Sequence, residues 1–386
     1  MATTRMHHGD TLFPDNDGID IQFPTSYQQI IERIALIDPV KYSKTRNFIN
    51  GAVTYLSPYI ARGVVSLPQI SEVVLGKYRF YEAEKLIQEL AWREYFQRVW
   101  QSIGKQVLND VKQQQQRYKH HKIPTAVVEA NTGIEGIDLG IQNLYRIGYM
   151  HNHVRMYTAM LTCNIGQSHW LLPAQWMYFH LLDGDVASNM LSWQWVAGSF
   201  SSKKYFANQE NISKYTGSKQ VKSYLNNSYE ALAELAIPEA LQATTTLVLR
   251  THLPQGDTLS LQAQLPVAVY NTYNLDLLWH AKDDCNRVLL LEPQHFEQFP
   301  ISEKVLMWIL QLARDNIKNL QVFVGSFQAL QTEVTKQQAG AIWYKEHPTT
   351  QHYRGVQESR DWLFPEVQGY FNSFFSYWKK CERYLR

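Results

Sequence analysis

The segment from residue 146 to 195 concentrates polar and aromatic side chains at a density that a fold alone rarely requires. Within its HNHVRM motif, Asn152, Arg155 and Met156 are spaced i, i+3 and i+4. Residues at this spacing share one face of a helix. The motif therefore predicts a helix that presents one polar stripe.

A second stripe follows in the motif DGDVASNMLSWQW, where Asp185, Asn189 and Trp193 are spaced four residues apart. Together the two stripes could line a pocket. The alternative is that Trp193 and Trp195 are core aromatics and that Arg155 pairs with an aspartate to seal the interior. The residue types alone leave both interpretations open.

Two different textures divide the chain near residue 220 and predict the elements that position these stripes. The apolar residues follow helical spacing in three segments, 26–37, 83–100 and 136–161. After residue 240, short β-branched or aliphatic runs are typical of buried strands, at 245–250, 267–273, 287–293, 320–326 and 339–344. The stretch 302–319 predicts an amphipathic helix between two of these runs, with Ser302 as its N-cap.

These textures predict an α plus α/β fold. We expect a mainly helical domain over residues 20–225, followed by a smaller Rossmann-like α/β domain over 240–345. The polar stretch 208–220 leads towards the linker between them. An aromatic and basic tail over 346–386 is expected to dock as a helix; the alternative is an exposed segment that binds nucleic acid by stacking and charge.

The composition describes a globular chain without a predicted membrane span. Its 386 residues are 45% hydrophobic, which permits a large core and favours two domains over one. No apolar run approaches the roughly 18 residues of a transmembrane helix, and the first residues lack the apolar core of a signal peptide. We therefore expect a cytoplasmic protein with no membrane partner.

Charge, cysteines and phosphate-binding motifs narrow the chemistry further. The formal net charge of +2 permits contact with a nucleic-acid backbone without predicting it. Cys163, Cys285 and Cys381 are too few and too scattered for a disulfide framework, a paired-cysteine zinc site or an ordinary iron–sulfur cluster. No metal site is indicated. The α/β part contains no G-x-G-x-x-G or Walker motif, so we expect the chemistry in the helical part.

Six motifs occur in order between residues 42 and 215. They are YSKTRNF (42–48), TYLSPYIARGVVS (54–66), ELAWREYF (89–96), TG (132–133), YMHNHVRM (149–156) and DGDVASNMLSWQW (183–195). In order and spacing they resemble the FAD-binding helical domain of the photolyase/cryptochrome family. The resemblance implies that FAD is the cofactor.

The resemblance assigns Tyr42, Thr54 and Ser57 to the phosphate and ribitol side of FAD. Hydroxyl groups suit this side because they can donate hydrogen bonds to anionic oxygens. The match is incomplete, because Tyr55 stands where the family has an arginine and Val53 where it has a threonine.

Five further residues correspond to family positions around the flavin ring. Arg155 and Asp183 match an ion pair beside the ring, where the arginine favours a reduced, anionic flavin. Asn189 matches the residue that faces flavin N5. Asn152 and Asp185 match neighbouring flavin contacts.

Two tryptophans match the family's electron-transfer chain. Trp193 and Trp170 correspond to its first two members. Arg117 occupies the place of the third, so the adjacent Tyr118 becomes the candidate surface donor. Trp170 as an ordinary core residue remains an alternative.

The resemblance also implies a substrate side that faces DNA. Glu89 and Trp92, at i and i+3, match residues that contact a flipped pyrimidine dimer, and Arg93 lies next to them. Met156 and Trp195 match substrate-side positions of the enzymes that act on cyclobutane dimers. An aromatic wall recovers part of the stacking that a flipped base loses. The alternative is that Glu89 contacts the flavin or the adenine.

The implied function is that of a deoxyribodipyrimidine photolyase-like lyase, with damaged DNA as its partner. Light-driven electron transfer from reduced flavin would repair cyclobutane pyrimidine dimers, with Asn189, Glu89, Trp193 and Trp170 as catalytic residues. One alternative is a cryptochrome-like blue-light photoreceptor without repair activity. The other is a flavin-binding remnant without a light-dependent function.

Two departures from the family limit these expectations. The sequence TGIEGID (132–138) lacks the proline that commonly follows the TG pair. The family's light-harvesting α/β domain precedes its helical domain, whereas the α/β-like part follows here. This part is either a rearranged relative of the antenna domain or an unrelated domain, and no motif identifies a second chromophore.

Overall fold

The computed structural model describes residues 21–385. The first 20 residues, on which the prediction of no signal peptide rests, lie outside this range. None of the helices between residues 21 and 385 has both the length and the apolar character of a membrane span.

Helices form most of the described chain before residue 242. They are α1 (Tyr27–Ala35), α2 (Pro39–Thr45), α3 (Ser57–Ala61), α4 (Leu67–Leu75), α5 (Phe80–Ile103), α6 (Thr125–Val128), α7 (Glu135–Ile147), α8 (Asn152–Met160), α9 (Leu171–His180), α10 (Val186–Ala197), α11 (Gln209–Thr216) and α12 (Tyr229–Ala233). Helix α5 is the longest of them and packs against α2, α4 and α10. The polar stretch expected to approach a linker is therefore largely helix α11.

The later part alternates strands and helices. Its helices are α13 (Pro293–Gln298), α14 (Glu303–Asn316), α15 (Phe327–Lys336) and α16 (Phe374–Cys381). The strands of the described chain are β1 (Ile123–Pro124), β2 (Thr244–Thr245), β3 (Val267–Tyr270), β4 (Asn286–Leu291), β5 (Leu320–Val324), β6 (Ile342–Lys345) and β7 (Val356–Glu358). Ser302 caps α14 as predicted, because its hydroxyl accepts a hydrogen bond from the backbone N–H of Val305.

Strands β3 to β7 form one parallel sheet in the order β5-β4-β3-β6-β7. This arrangement confirms the predicted combination of helices with a parallel α/β sheet. The sheet extends past residue 345, because edge strand β7 lies in the segment predicted as tail. This strand has the sequence VQE and its Val356 is half exposed, so it contains no apolar run from which a buried strand could be predicted.

One predicted strand is wrong. Residues 245–250 were expected to form a buried strand, but only Thr244 and Thr245 form one, and they pair with β1 outside the main sheet. The rest of the run lies at the surface, and Val248 is 79% exposed. The helical spacing over 136–161 belongs to two helices, because Gly148, with a φ of +70°, ends α7 before α8 begins.

One buried arginine joins the helical part to the sheet. Arg62, which follows α3, is 1% exposed. Its Nε and Nη2 donate to the carbonyl oxygen of Leu182, and its Nη1 donates to that of Thr272 after β3. Tyr178 and Tyr273 add a hydroxyl contact of 3.1 Å. The two parts therefore share a connected interior.

The C-terminal tail docks on α5 through buried Glu94. This carboxylate accepts hydrogen bonds from the backbone N–H groups of Leu363 and Phe364 and from the hydroxyl of Tyr377. Phe374 and Tyr377 of α16 are almost fully buried. The tail is thus a packed element, as one of the two sequence interpretations expects.

Candidate functional site

The predicted ion pair between Arg155 and Asp183 is present. Arg155 lies in the first turn of α8, and its Nη2 is 3.0 and 2.9 Å from the two carboxylate oxygens of Asp183. Its Nε donates to the carbonyl oxygen of Met150 at 2.7 Å. The Asp183 side chain is 4% exposed, and a buried carboxylate of this kind requires a paired charge.

Two tyrosines, Tyr149 and Tyr55, pack beside this ion pair, and the sequence motifs assigned neither of them a role. The Tyr149 ring is 5.4 Å from the Arg155 guanidinium carbon and 5.5 Å from the Tyr55 ring. Burial raises the pKa of Tyr149 well above its usual range, so its phenol stays protonated. Tyr55 adopts a φ of +52°, a conformation uncommon for a residue with a side chain. The signal available for Tyr149 was its place at the start of YMHNHVRM.

His151 fixes the start of the helix that carries Arg155. Its Nδ1 accepts a hydrogen bond from the backbone N–H of His153 at 3.2 Å. Burial, and then the neighbouring His153, lower the pKa of His151 to about 4. The ring is consequently neutral at pH 7 and able to accept this bond.

The residues predicted for the phosphate side lie in partly buried positions. Tyr42 is on α2, and burial followed by the charge of Glu89 raises its pKa. Ser57 begins α3, and Thr54 precedes it. Among the described residues, the hydroxyls of Thr54 and Ser57 donate no hydrogen bond, which leaves both free to donate to a phosphate oxygen. This donor chemistry fits the anionic side of FAD.

Helix α10 positions the remaining flavin candidates. The Asp185 carboxylate caps the helix through the N–H and hydroxyl of Ser188 and also accepts from Gln97 at 2.6 Å. Its role in the structure is therefore to fix the start of α10. One turn on, Asn189 donates through Nδ2 to the carbonyl oxygen of Ala174 at 2.9 Å. Asn152 is exposed at the first position of α8.

The two predicted electron-transfer tryptophans are buried. Trp193 is 2% exposed and Trp170 is fully buried, with its Nε1 donating to Asp110 at 2.7 Å. The His169 ring centroid is 5.7 Å from that of Trp170, and the Tyr118 ring centroid is 5.0 Å from that of His169. A continuous set of ring contacts thus leads from Trp170 to Tyr118.

Arg117, at the position of the missing tryptophan, is exposed and pairs with Glu234 at 2.5 Å. It has a φ of +55° within an irregular segment. The neighbouring Tyr118 is instead only partly exposed and turns towards His169 and His121. Tyr118 therefore lies one ring beyond His169, which itself contacts Trp170.

The predicted substrate residues do not form one open surface. Trp92 stacks on Phe374 of the tail, with ring centroids 3.8 Å apart and an interplanar angle of 10°. Trp195 is 37% exposed and packs on Tyr205, while Met156 is half-buried. One face of Trp92 is thereby closed to any other aromatic group while the tail is docked.

The two charged substrate candidates also differ in their surroundings. Glu89 lies between Arg46 and Lys85, at 3.4 and 3.5 Å. Its position beside Tyr42 also agrees with the alternative that it contacts the cofactor. Arg93 lines a separate cavity between α5 and the ends of strands β3 and β6.

Part of the helical region is similar to known proteins. Residues 86–242 match the family model described as the FAD binding domain of DNA photolyase. The predicted residues from Glu89 to Trp195 all lie in the matched region, whereas Tyr42, Thr54 and Ser57 precede it.

Curated relatives carry both photolyase and cryptochrome names. A deoxyribodipyrimidine photo-lyase of Agrobacterium fabrum is 30% identical over 165 residues, which cover 41% of this chain and 34% of the relative. A cryptochrome DASH of Danio rerio is 32% identical over 171 residues, which cover 41% of this chain and 32% of the relative. The chain thus spans about a third of the length of the curated relatives that it matches.

A solved structure of a Synechocystis cryptochrome is also similar, with a TM-score of 0.43 and 26% identity, covering 50% of this chain and 44% of that one. The matched sequence region contains the Arg155–Asp183 pair and both buried tryptophans. Residues 86–242 of this chain are therefore similar to the FAD-binding domain of the photolyase/cryptochrome family.

Proposed function

We propose that this chain is an FAD-dependent, photolyase-like lyase that splits cyclobutane pyrimidine dimers in DNA with light. The ion pair between Arg155 and the buried Asp183, inside the region that matches the FAD-binding domain, is the observation that carries this proposal. When bound, FAD supplies the electron that light transfers to the dimer and that returns after the bond is split.

The chain's own residues would divide this work. Arg155 places a fixed positive charge, held by Asp183, beside Tyr149 in a site that excludes much of the water. A charge in such surroundings acts more strongly than in solvent. Trp193 and Trp170 would return the domain to its reduced state by passing electrons inward from Tyr118.

On the substrate side, Trp195 is the predicted residue with the most accessible ring, and Glu89 is half-buried beside the cofactor candidates. A dimer that entered this side could stack on Trp195 without moving the tail. Access to the covered face of Trp92 would require Phe374 to move.

A cryptochrome-like photoreceptor is the second candidate, and the stacking of Phe374 on Trp92 favours it. The contact covers the face of Trp92 on which, in the repair proposal, a damaged base would stack. In this alternative, a light-dependent change around the cofactor would alter how tightly α16 binds α5. The response to light would be a change in the docking of the tail, and no base would be repaired.

Illumination of the reduced full chain with dimer-containing oligonucleotides separates these candidates. The repair proposal predicts dimer loss in blue light and none in the dark, on single-stranded or double-stranded substrate. The absence of turnover on both substrates would overturn it. A light-dependent change in proteolysis after residue 346 would then support the photoreceptor candidate.

A further inference from the structure

The order of the parallel sheet creates a crevice where the sheet meets the helical part, and Asp185 and Arg93 are among the residues that line it. Strands β3 and β6 are neighbours, but the chain continues from β3 to β4 on one side and from β6 to β7 on the other. Open α/β sheets bind ligands at such a switch point, beyond the carboxyl ends of the strands. A cavity of about 120 Å³ lies at this position.

Both strand ends and the helical part line this cavity. Asn271 and Asn274 follow β3, and His347 follows β6. Arg93 of α5 and the turn at Gly63 close the opposite side. The cavity therefore lies at the junction of the sheet with the helices.

Close backbone contact fixes the shape of this junction. Gly63 has a φ of +68°, and a Cβ at this position would lie 2.6 Å from the carbonyl oxygen of Tyr273. Only glycine fits such an approach at this φ. The loop after β3 is thus held directly against the turn after α3, so the cavity is built into the fold.

Three buried hydrogen-bond donors at the cavity lack a partner among residues 21–385. They are Nη2 of Arg93, Nε of Arg360 and Nδ2 of Asn274. Asn274 is 6% exposed, so solvent does not readily replace the missing partner. An unpaired donor at a buried position is costly, and each one calls for an explanation. All three are donors, and two belong to guanidinium groups.

The acidic groups around the cavity already have donors. Glu94 accepts from the tail backbone and Tyr377, and Asp185 accepts from Ser188 and Gln97. Two cavity residues, Asp361 and Lys345, pair with each other at 2.8 Å. The unpaired groups at the cavity are therefore hydrogen-bond donors, and they would be satisfied by an acceptor that carries negative charge.

Arg360 remains a cation in this setting. Burial lowers its pKa to about 10, still far above neutral pH. Its Nε is 3.8 Å from Glu346, too far for a hydrogen bond. Its Nη1 instead donates to Gln97 at 2.8 Å, which holds the guanidinium at the cavity.

We propose that this cavity binds one small oxyanion, a carboxylate or phosphate group, through Arg93, Arg360 and Asn274. An apolar cavity of about 150 Å³ holds a benzene molecule, so the volume here suits a group of a few heavy atoms. Arg93 is also a predicted substrate residue, but oxyanion binding is measured without FAD, light or DNA, so its failure is distinguishable from failure of the proposed repair activity.

Calorimetric titration of the full chain tests the site. Inorganic phosphate and acetate are titrated separately at constant ionic strength set with potassium chloride, in the absence of DNA. We expect saturable one-to-one binding of at least one anion, and the two titrations tell which oxyanion the cavity prefers. Arg93→Gln should weaken this binding by at least about tenfold, because a charged donor is lost.

Two further variants make the result decisive. Asn274→Asp replaces the orphan donor with an anionic oxygen and should abolish binding. Arg314→Gln removes the same charge from an exposed position on α14 outside the cavity and should leave binding unchanged. Binding of neither anion to the unmodified chain would overturn the proposal. So would equal binding by a folded Arg93→Gln or Asn274→Asp protein.

Discussion

At the residue scale, the site depends on how each polar side chain is paired. Arg155 and Asp183 satisfy each other in a nearly closed position, and Tyr149 covers the pair. The resemblance of their motifs to a known family predicted the first two residues. It assigned no role to Tyr149, although this residue begins the motif YMHNHVRM, because the motif carries no sign of the burial that its contacts create.

The proposed electron-transfer route through Tyr118 can be tested by removing its hydroxyl group. Tyr118→Phe keeps the ring beside His169 but removes the phenol that gives up an electron and a proton. We expect slower photoreduction of the FAD-loaded chain in transient absorption. Tyr81→Phe, at a 69% exposed position on α5, serves as the matched control. Unchanged kinetics in the Tyr118 variant would exclude this route.

At the element scale, the C-terminal tail covers the face of α5 that carries Trp92. Phe374 and Phe375 are neighbours on α16, yet the first is 2% exposed on Trp92 and the second is 69% exposed. Truncating a buried phenylalanine typically costs about 3–5 kcal/mol, whereas an exposed change stays within about 0.5 kcal/mol. Phe374→Ala should therefore lower the free energy of unfolding by several times more than Phe375→Ala, as measured by urea denaturation.

The same pair of variants reports on access to Trp92. If the tail covers a site for the damaged base, Phe374→Ala should bind a dimer-containing oligonucleotide more tightly than Phe375→Ala does. Equal affinity, in proteins that both remain folded, would show that the covered face of Trp92 takes no part in binding.

Elements with strong local patterns were predictable from sequence. Strands β3 to β6 have apolar runs, and Ser302 marks the start of α14 by a local hydrogen bond. The spacing of apolar residues over 136–161 did not show the break at Gly148, because the left-handed φ of this glycine ends α7 without interrupting the apolar pattern. The stacking of Phe374 on Trp92 joins distant parts of the chain, and no periodicity encodes it.

At the scale of the whole molecule, the helical part and the α/β part each contain a largely buried histidine whose pKa is lowered. His180 lies at the end of α9 and His295 lies in α13, and burial lowers the pKa of each to about 4. An unfolded histidine has a pKa near 6.5. Below that pH the unfolded chain binds more protons than the folded one, so stability falls as the pH decreases towards 4.

Each of these histidines should remove about 2 kcal/mol of stability between pH 7 and pH 5. Urea denaturation at several pH values measures this loss. His295→Gln removes one of the titrating groups and should make the decline less steep, whatever its effect at pH 7. A pH dependence as steep as that of the unmodified chain would contradict this assignment.

The most direct test of the account is the flavin content of the purified full chain. Absorbance after saturation with FAD should show one bound flavin per chain, and Arg155→Gln should lose most of it while retaining helical circular dichroism. Arg146→Gln, at an exposed position at the end of α7, should bind FAD as the unmodified chain does. Failure of the unmodified chain to bind FAD, or full retention by a folded Arg155→Gln protein, would contradict the assignment of this site.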